Sequence, residues 1–228
     1  MKITSLASSS AGNAYMIHDG FTTLLIDCGI SIKELKKRSD FTIPTFIDAC
    51  LITHEHNDHT KSLKDMLRSG TPCYMLAETA EKKGIEASYF TNFIKYDMVF
   101  TVKTFTIKVL QMHHDVPCCG FLIHSNKTKE NVLFAIDTYY IPYSMKNLNY
   151  IMIEANHDLT LLDGDERKDR LYKSHMSIQT VLQYLRAIDL SAVKKIYLMH
   201  LSDSRSDEAK FKEVVQKVTG KIVEVCEK

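Results

Sequence analysis

Apolar, β-branched segments that each stop on a metal-competent side chain constrain this chain more than any other feature. Residues 49–53 (Ala-Cys-Leu-Ile-Thr) run into His54, and Lys-Val-Leu-Gln-Met runs into His113 and His114. Val-Leu-Phe-Ala-Ile runs into Asp137, Tyr-Ile-Met-Ile into Glu154, and Ile-Tyr-Leu-Met into His200. In open α/β sheets the ligand-binding rim lies beyond the strand ends, so the pattern predicts that these residues converge on one cleft.

The densest of these ends is the run His54-Glu55-His56-Asn57-Asp58-His59. Neutral imidazoles and carboxylates suit borderline divalent ions, and the number of such ligands exceeds what one tetrahedral site takes. Two ions are therefore expected, zinc first and manganese second. His54 and His56, two apart in an extended loop, project to one side, whereas Asp58 and His59 lie beyond them and can serve the second ion. A helical H-E-x-x-H site needs its histidines four apart on a helix face, and this segment leaves a strand instead. One histidine here would read as a hydrogen-bonded, half-buried ring; three with an aspartate, backed by further polar strand ends, read as metal ligands. His18 and His124, isolated near turns, read as solvated, and His113 should point away from its neighbour His114.

Strands and helices alternate along the chain, with no repeat or linker to divide it. Residues 14–18 and 22–27 flank Asp19-Gly20, a hairpin signal. Further strands are predicted at 72–76, 105–111, 119–124, 132–136, 150–154 and 196–199. Ser31 and Glu34 form a capping-box pattern for a short helix. Other helices are predicted over 61–68, over 177–188, and from a Ser206 cap through Val218 to the stop at Gly220. With 45% apolar residues, residues 1–228 are expected to form a single α/β sandwich domain. The start of the chain lacks a signal-peptide pattern and no apolar run reaches membrane-spanning length, which predicts a soluble, cytoplasmic protein. The six cysteines form no C-x-x-C pair and read as buried free thiols, with Cys118 and Cys119 on opposite strand faces.

The H-x-H-x-D-H run from His54 to His59 resembles the signature of the metallo-β-lactamase superfamily. So do the loop Ser8-Ser9-Ser10-Ala11-Gly12-Asn13, the stretch Leu25-Ile26-Asp27-Cys28-Gly29, Asp137 and His200. The resemblance implies a four-layer αββα sandwich with a dinuclear site at one edge. His54, His56 and His114 would hold one ion, Asp58, His59 and His200 the other, and Asp137 would bridge. Two such cations lower the pKa of bound water and neutralise charge on a phosphoryl group under attack; Asp58 would help orient the nucleophile. The series Glu154-Ala155, His175-Met176-Ser177 and His200-Leu201-Ser202-Asp203-Ser204-Arg205 is similar to the ribonuclease Z and YycJ/WalJ phosphodiesterases. In that branch His175 would assist the leaving oxygen and Glu154 would orient it, a carboxylate making the imidazole the better proton donor. Asn156 and His157, in Asn156-His157-Asp158, and Ser10 and Asn13, in the small-residue loop, would contact substrate. That loop departs from the branch in having Ser9 and Ala11 where Gly and Ser are usual.

Twenty-nine basic against twenty-eight acidic residues give a net charge of +1. No basic, aromatic-bearing track for a polynucleotide stands out, and no insertion resembles the long arm of ribonuclease Z. A groove would have to be assembled from scattered residues: Lys33, Lys36, Lys37, Arg38, Lys127, Lys129, Arg167, Lys168 and Arg170. The expected substrate is accordingly a small nucleotide, including 3′,5′-cyclic nucleotides as in the phage anti-Pycsar proteins. A YycJ/WalJ-like single-strand nuclease is the alternative. A non-catalytic, metal-stabilised binding module ranks last, because structural sites are usually closed by four protein ligands. The resemblance also implies a homodimer whose copies border each other's site, with Tyr139, Tyr140 and Tyr143 as an aromatic lip or as core.

Overall fold

Period-two alternation along apolar strands gives each strand two buried faces, and a computed structural model describing residues 1–162 and 168–227 shows what covers each face. One sheet is ordered β1 (Lys2–Ser9), β2 (Gly12–His18), β3 (Thr23–Ile26), β4 (Ala49–Leu51), β5 (Cys73–Leu76), β6 (Thr91–Ile94). The other contains β7 (Val99–Val102), β8 (Phe105–Met112), β9 (Cys118–Ser125), β10 (Asn131–Ala135), β11 (Tyr150–Glu154), β12 (Lys195–Met199) and β13 (Ile222–Val225), in that spatial order from one edge to the other. Each sheet begins with antiparallel pairs and continues in parallel, from β3 onward in the first and from β10 onward in the second.

The sheets face each other across Ile17, Leu24 and Ile26 on one side and Ile107, Phe121, Ile123 and Phe134 on the other. Their alternate residues point outward. Leu25, Cys50, Cys73 and Met75 pack with Leu35 of α1 (Ile32–Arg38), Leu63 and Met66 of α3 (Leu63–Arg68) and Ala80 of α4 (Ala77–Lys83). Leu133, Ile151, Ile153, Ile196 and Leu198 pack with Val181 and Leu185 of α6 (Ile178–Ala187) and with Phe211 and Val215 of α7 (Glu208–Thr219). The short α2 (Asn57–Thr60) precedes α3, and α5 (Lys168–Ser174) precedes α6. The layering is the expected αββα sandwich. Cys118 belongs to the outer core and Cys119 to the inner one, and all six thiols are buried and unpaired.

Local departures from expectation have local causes. The opening hairpin gains a third strand, β1, whose Thr4, Ser5, Ser8 and Ser9 dilute any apolar signal although it pairs from Lys2↔His18 to Ser9↔Gly12. Edge strands β6, β7 and β13 are short, and their patterns are largely exposed. The helix expected at 61–68 starts at Leu63, because the Ser62 amide donates to the Cys28 carbonyl at 2.9 Å and breaks the run. Asp207, not Ser206, caps α7, its side chain accepting from the Lys210 amide. Ser31 caps α1 as expected, but the Glu34 carboxylate faces Arg38 at 3.6 Å instead of reaching back. His18 and His124 are half-buried and hydrogen-bonded, to Thr23 Oγ1 and Asn131 Oδ1. No helix among the described residues is long and apolar enough to cross a membrane.

Candidate active site

The C-terminal ends of β3 and β4 in one sheet and of β8, β10, β11 and β12 in the other share one rim, and the side chains at these ends meet there. Asp27, Asp137 and His200 leave their strands with φ of 59°, 48° and 54°. Left-handed backbone at a non-glycine residue costs about 1–3 kcal/mol, and such strain clusters at functional sites. The metal loop is seated on Gly29: a Cβ there would lie 1.6 Å from the Asp58 carbonyl oxygen. The neighbouring Cys28 amide donates to the His59 carbonyl at 2.9 Å. Gly29→Ala must therefore push Asp58 and His59 outward. Since a misplacement near 1 Å can cost ~10²-fold, that loss of activity is expected in a protein that still melts cooperatively; full activity would show that the loop tolerates displacement.

His59, His54 and His114 each have one ring nitrogen fixed from outside, which sets the direction of the inner one. His59 Nδ1 lies 2.7 Å from Asp27 Oδ2, His54 Nδ1 3.0 Å from Thr53 Oγ1, and His114 Nδ1 2.8 Å from the Ser174 carbonyl. Thr53 in turn donates its amide and hydroxyl to Asp27. The remaining nitrogens face one another: His54 Nε2 and His114 Nε2 lie 3.0 Å and 3.4 Å from His56 Nδ1, and His59 Nε2 lies 2.8 Å from Asp137 Oδ2. Outer partners of this kind orient metal-binding imidazoles and raise their basicity.

Asp137 stands between the two groups. Its Oδ2 reaches His59 and, at 3.6 Å, His54, while Oδ1 lies 2.8 Å from His200 Nδ1 and 3.2 Å from His175 Nδ1. Yet Asp137 Oδ1 and both His200 ring nitrogens lack an aligned hydrogen-bond partner among the described residues despite burial. Buried polar atoms that crowd together without bonding one another are what a ligand set for shared cations leaves. Ligand atoms of His54, His56 and His114 cluster within 4.8 Å, as do those of Asp58, His59 and His200. Ligand atoms of His54, His59 and Asp137, and of Asp137, Glu154, His175 and His200, lie as close, and the residues present thus fit a dinuclear site.

Electrostatics support the same fit. Burial and the surrounding imidazoles hold His54 well below the usual histidine range, as the neutral ring a metal needs. Burial would lower His200 too, but Asp137 and Glu154 outweigh it and push it up to about 9. Cations must displace that proton, and the one that Asp27 and Asp137 hold on His59 well above the usual range despite burial, so metal binding should release protons and strengthen with rising pH. Affinity is expected to rise about tenfold per pH unit for each proton displaced, measurable by zinc titration with competing chelator; a pH-independent affinity would contradict the assignment.

Beside the cluster, His175 Nδ1 lies 2.6 Å from Glu154 Oε1, leaving Nε2 as its other ring nitrogen. Burial alone would lower His175; Glu154 and Asp137 overcome it and raise it to about 10. Glu154 is itself fixed, its Oε2 accepting from the Thr138 amide. A cavity of about 290 Å³ is lined by Asp58, His114, Asp137 and His175, with Ser10, Asn156 and Arg205 also on its wall. Asn13 and His157 are not. Asn13 donates to the Ser9 carbonyl at 2.9 Å and lies 3.1 Å from His59 Nε2, bracing the metal loop. His157 is fully buried with no partner for either ring nitrogen among the described residues, and burial lowers it to about 4.

Sequence reasoning gave no site role to Asp27, Thr53, Asp115 or Arg205. Asp115 Oδ1 lies 3.1 Å from His114 Nε2 and 3.5 Å from His56 Nε2; its place directly after two histidines at a strand end was the available signal. Tyr139 and Tyr140 are partly exposed, with His113 stacked on Tyr140 at 4.5 Å, while the Tyr143 hydroxyl accepts from the Gln111 amide and its ring joins the outer core. Arg167 lies outside the described residues.

This fold and rim of histidines and aspartates define a class, and the beta-lactamase superfamily domain matches residues 22–201. The chain belongs to that superfamily, in its metallo-β-lactamase fold. It is 27% identical over 220 residues to exodeoxyribonuclease WalJ of Streptococcus pneumoniae, covering 88% of this chain and 81% of the relative. It is 25% identical over 217 residues to the anti-Pycsar protein Apyc1 of Bacillus phage BSP38, covering 81% and 79%. The solved structure of the metallo-β-lactamase fold protein YhfI from Bacillus subtilis superposes with a TM-score of 0.77 at 18% identity, over 99% of this chain and 95% of that one. The fold and the relatives are those of metal-dependent hydrolases.

Proposed function

We propose that the chain is a phosphodiesterase that cuts single-stranded nucleic acid at a two-ion centre. The observation that carries this reading is the Glu154–His175 pair at 2.6 Å on the edge of the metal-ligand cluster. Metal ligands alone would serve many hydrolyses; a histidine held protonated by a buried carboxylate is what an alkoxide leaving group requires. Bound zinc or manganese supplies an activated nucleophile and neutralises phosphoryl charge. Asp58 orients the attack, His175 delivers its Nε2 proton to the departing oxygen, and Glu154 holds the ring. Ser10, Asn156 and Arg205 lie where a phosphate and its sugar must sit. Asn13 and His157 contribute from behind the wall, through the metal loop and the packing of the 156–158 turn. A second copy seated on the exposed Tyr139 and Tyr140 belongs to the same reading.

The small cavity and the phage relative support a second reading, hydrolysis of a 3′,5′-cyclic nucleotide. Metal-loaded protein incubated with end-labelled single-stranded DNA and RNA and with a panel of cyclic nucleotides, beside an Asp58→Ala/His59→Ala variant, separates the two. Cleaved polymers and an inert variant are expected. Turnover of cyclic nucleotides alone would replace the first reading by the second, and full activity in the variant would overturn the metal mechanism.

A further inference from the structure

A second cleft, of about 780 Å³, adjoins the metal cavity and shares Ser10 and Asp58 with it. Its floor is Ala11 and Gly29. Its walls carry Lys61 and Lys64, from the end of α2 and from α3, and Lys82 and Lys83, from the end of α4. Lys61, Lys64 and Lys82 are exposed and make no ion pair among the described residues, while Lys83 donates to Asn57 Oδ1 at 2.6 Å beside Asp58. Among the described residues Asp58 is the only acid lining the cleft. In a chain of net charge +1, four ammonium groups are thus gathered along one path that starts at the reacting centre. Helix α3 and helix α4 are separated by β5 in sequence, which is why no basic run announces the path.

We infer that this cleft holds the backbone phosphates of a single-stranded polynucleotide beyond the scissile bond. The inference rests on the nuclease reading proposed above and assigns the subsite that holds its substrate away from the reacting bond. A mononucleotide would need only the metal cavity, and a cleft of more than twice that volume with spaced cations on both walls suits successive phosphates held as point charges. Lysines fit this use, because non-specific backbone contact needs charge rather than the planar fork of arginine. Leu63 and Ile85, also on the lining, give sugars and base edges an apolar surface.

The test is fluorescence anisotropy of metal-loaded protein with labelled phosphorothioate oligothymidylates, one of ~16 nucleotides and one of ~2, bracketing the range of single-strand site sizes. Wild type should bind the long oligomer at least tenfold more tightly. Lys61→Gln/Lys64→Gln/Lys82→Gln should abolish the length dependence and flatten the log affinity–log salt slope by ~2, about 0.7 per phosphate. Lys212→Gln/Lys217→Gln, exposed on α7 against the other sheet, should keep wild-type affinity. A triple variant that retains the preference for length, or an α7 variant that loses it equally, overturns the cleft. Cleavage of ordinary oligonucleotides is followed alongside. Wild-type cleavage with lysine-independent binding would sink the cleft alone, whereas lysine-dependent binding without cleavage would sink the nuclease reading alone.

Discussion

Replacing His175 by alanine is expected to slow cleavage of an oligonucleotide by ~10²–10⁴-fold, the loss typical of a missing general acid. Both ions should stay bound, because His54, His56 and His114 on one side and Asp58, His59 and His200 on the other still offer a full cluster each without His175, whose ring joins a further cluster with Asp137, Glu154 and His200. The discriminating readout is the leaving group. A sugar oxygen departs as a strongly basic alkoxide and needs the proton that His175 carries; a nitrophenolate departs as a stable anion and does not. The same variant should therefore hydrolyse a nucleoside p-nitrophenyl phosphate with only a small loss in kcat. Glu154→Gln keeps a hydrogen bond to Nδ1 but removes the charge that raises His175 to about 10. It should show the same leaving-group selectivity in weaker form, and its pH–rate profile should fall at lower pH than wild type, since a less basic imidazole gives up its proton earlier. Equal losses on both substrates would mean that His175 only shapes the cavity wall.

Asp137→Ala should be more damaging still, at ~10³-fold or more in kcat/KM, several kcal/mol at about 1.36 kcal/mol per tenfold. Among the described residues Asp137 reaches both clusters, Oδ2 lying 3.6 Å from His54 of one, and Oδ2 and Oδ1 lying 2.8 Å from His59 and His200 of the other. Its carboxylate is held well below the usual range by His200 and His59 despite burial. Removing it leaves fewer ligands between two like charges, so metal analysis should find about one ion per chain. Asp27→Ala, which removes the partner of the outer nitrogen of His59 and of the Thr53 amide and hydroxyl, should fall in the milder ~10–100-fold range of outer partners. An Asp137 variant with both ions and near-normal activity would remove the bridging role.

Much of the site was legible in the chain because its ligands follow apolar strands, whose ends a sandwich must bring to one rim. The His54–His59 run, Asp137 and His200 needed no tertiary information beyond that. Asp27 and Thr53 were harder: their value lies in touching the far side of an imidazole, a contact between β3 and the end of β4 that no local spacing encodes. The lysine cleft was invisible for the same reason, since Lys64 and Lys82 share it only after α3 and α4 pack on the outer face of one sheet. His157 illustrates the converse. Its neighbours Asn156 and His175 line the cavity, but the chain direction at residues 156–158 turns its ring inward, where its amide-linked carbonyl accepts from Ile178 at the start of α6. In the fold, strands with strong β-branched content were evident, whereas serine-rich β1 and the short edge strands depend on partners for their existence.

The central claim, a two-ion centre that cleaves nucleotide phosphodiesters, is tested most directly by titrating metal into chelator-treated protein while following both bound ions and cleavage of an end-labelled single-stranded oligonucleotide. The account predicts that cleavage appears with the second equivalent and saturates at about two zinc or manganese ions per chain. Saturation at about one ion with full activity, or two bound ions with no phosphodiester cleaved, would contradict it.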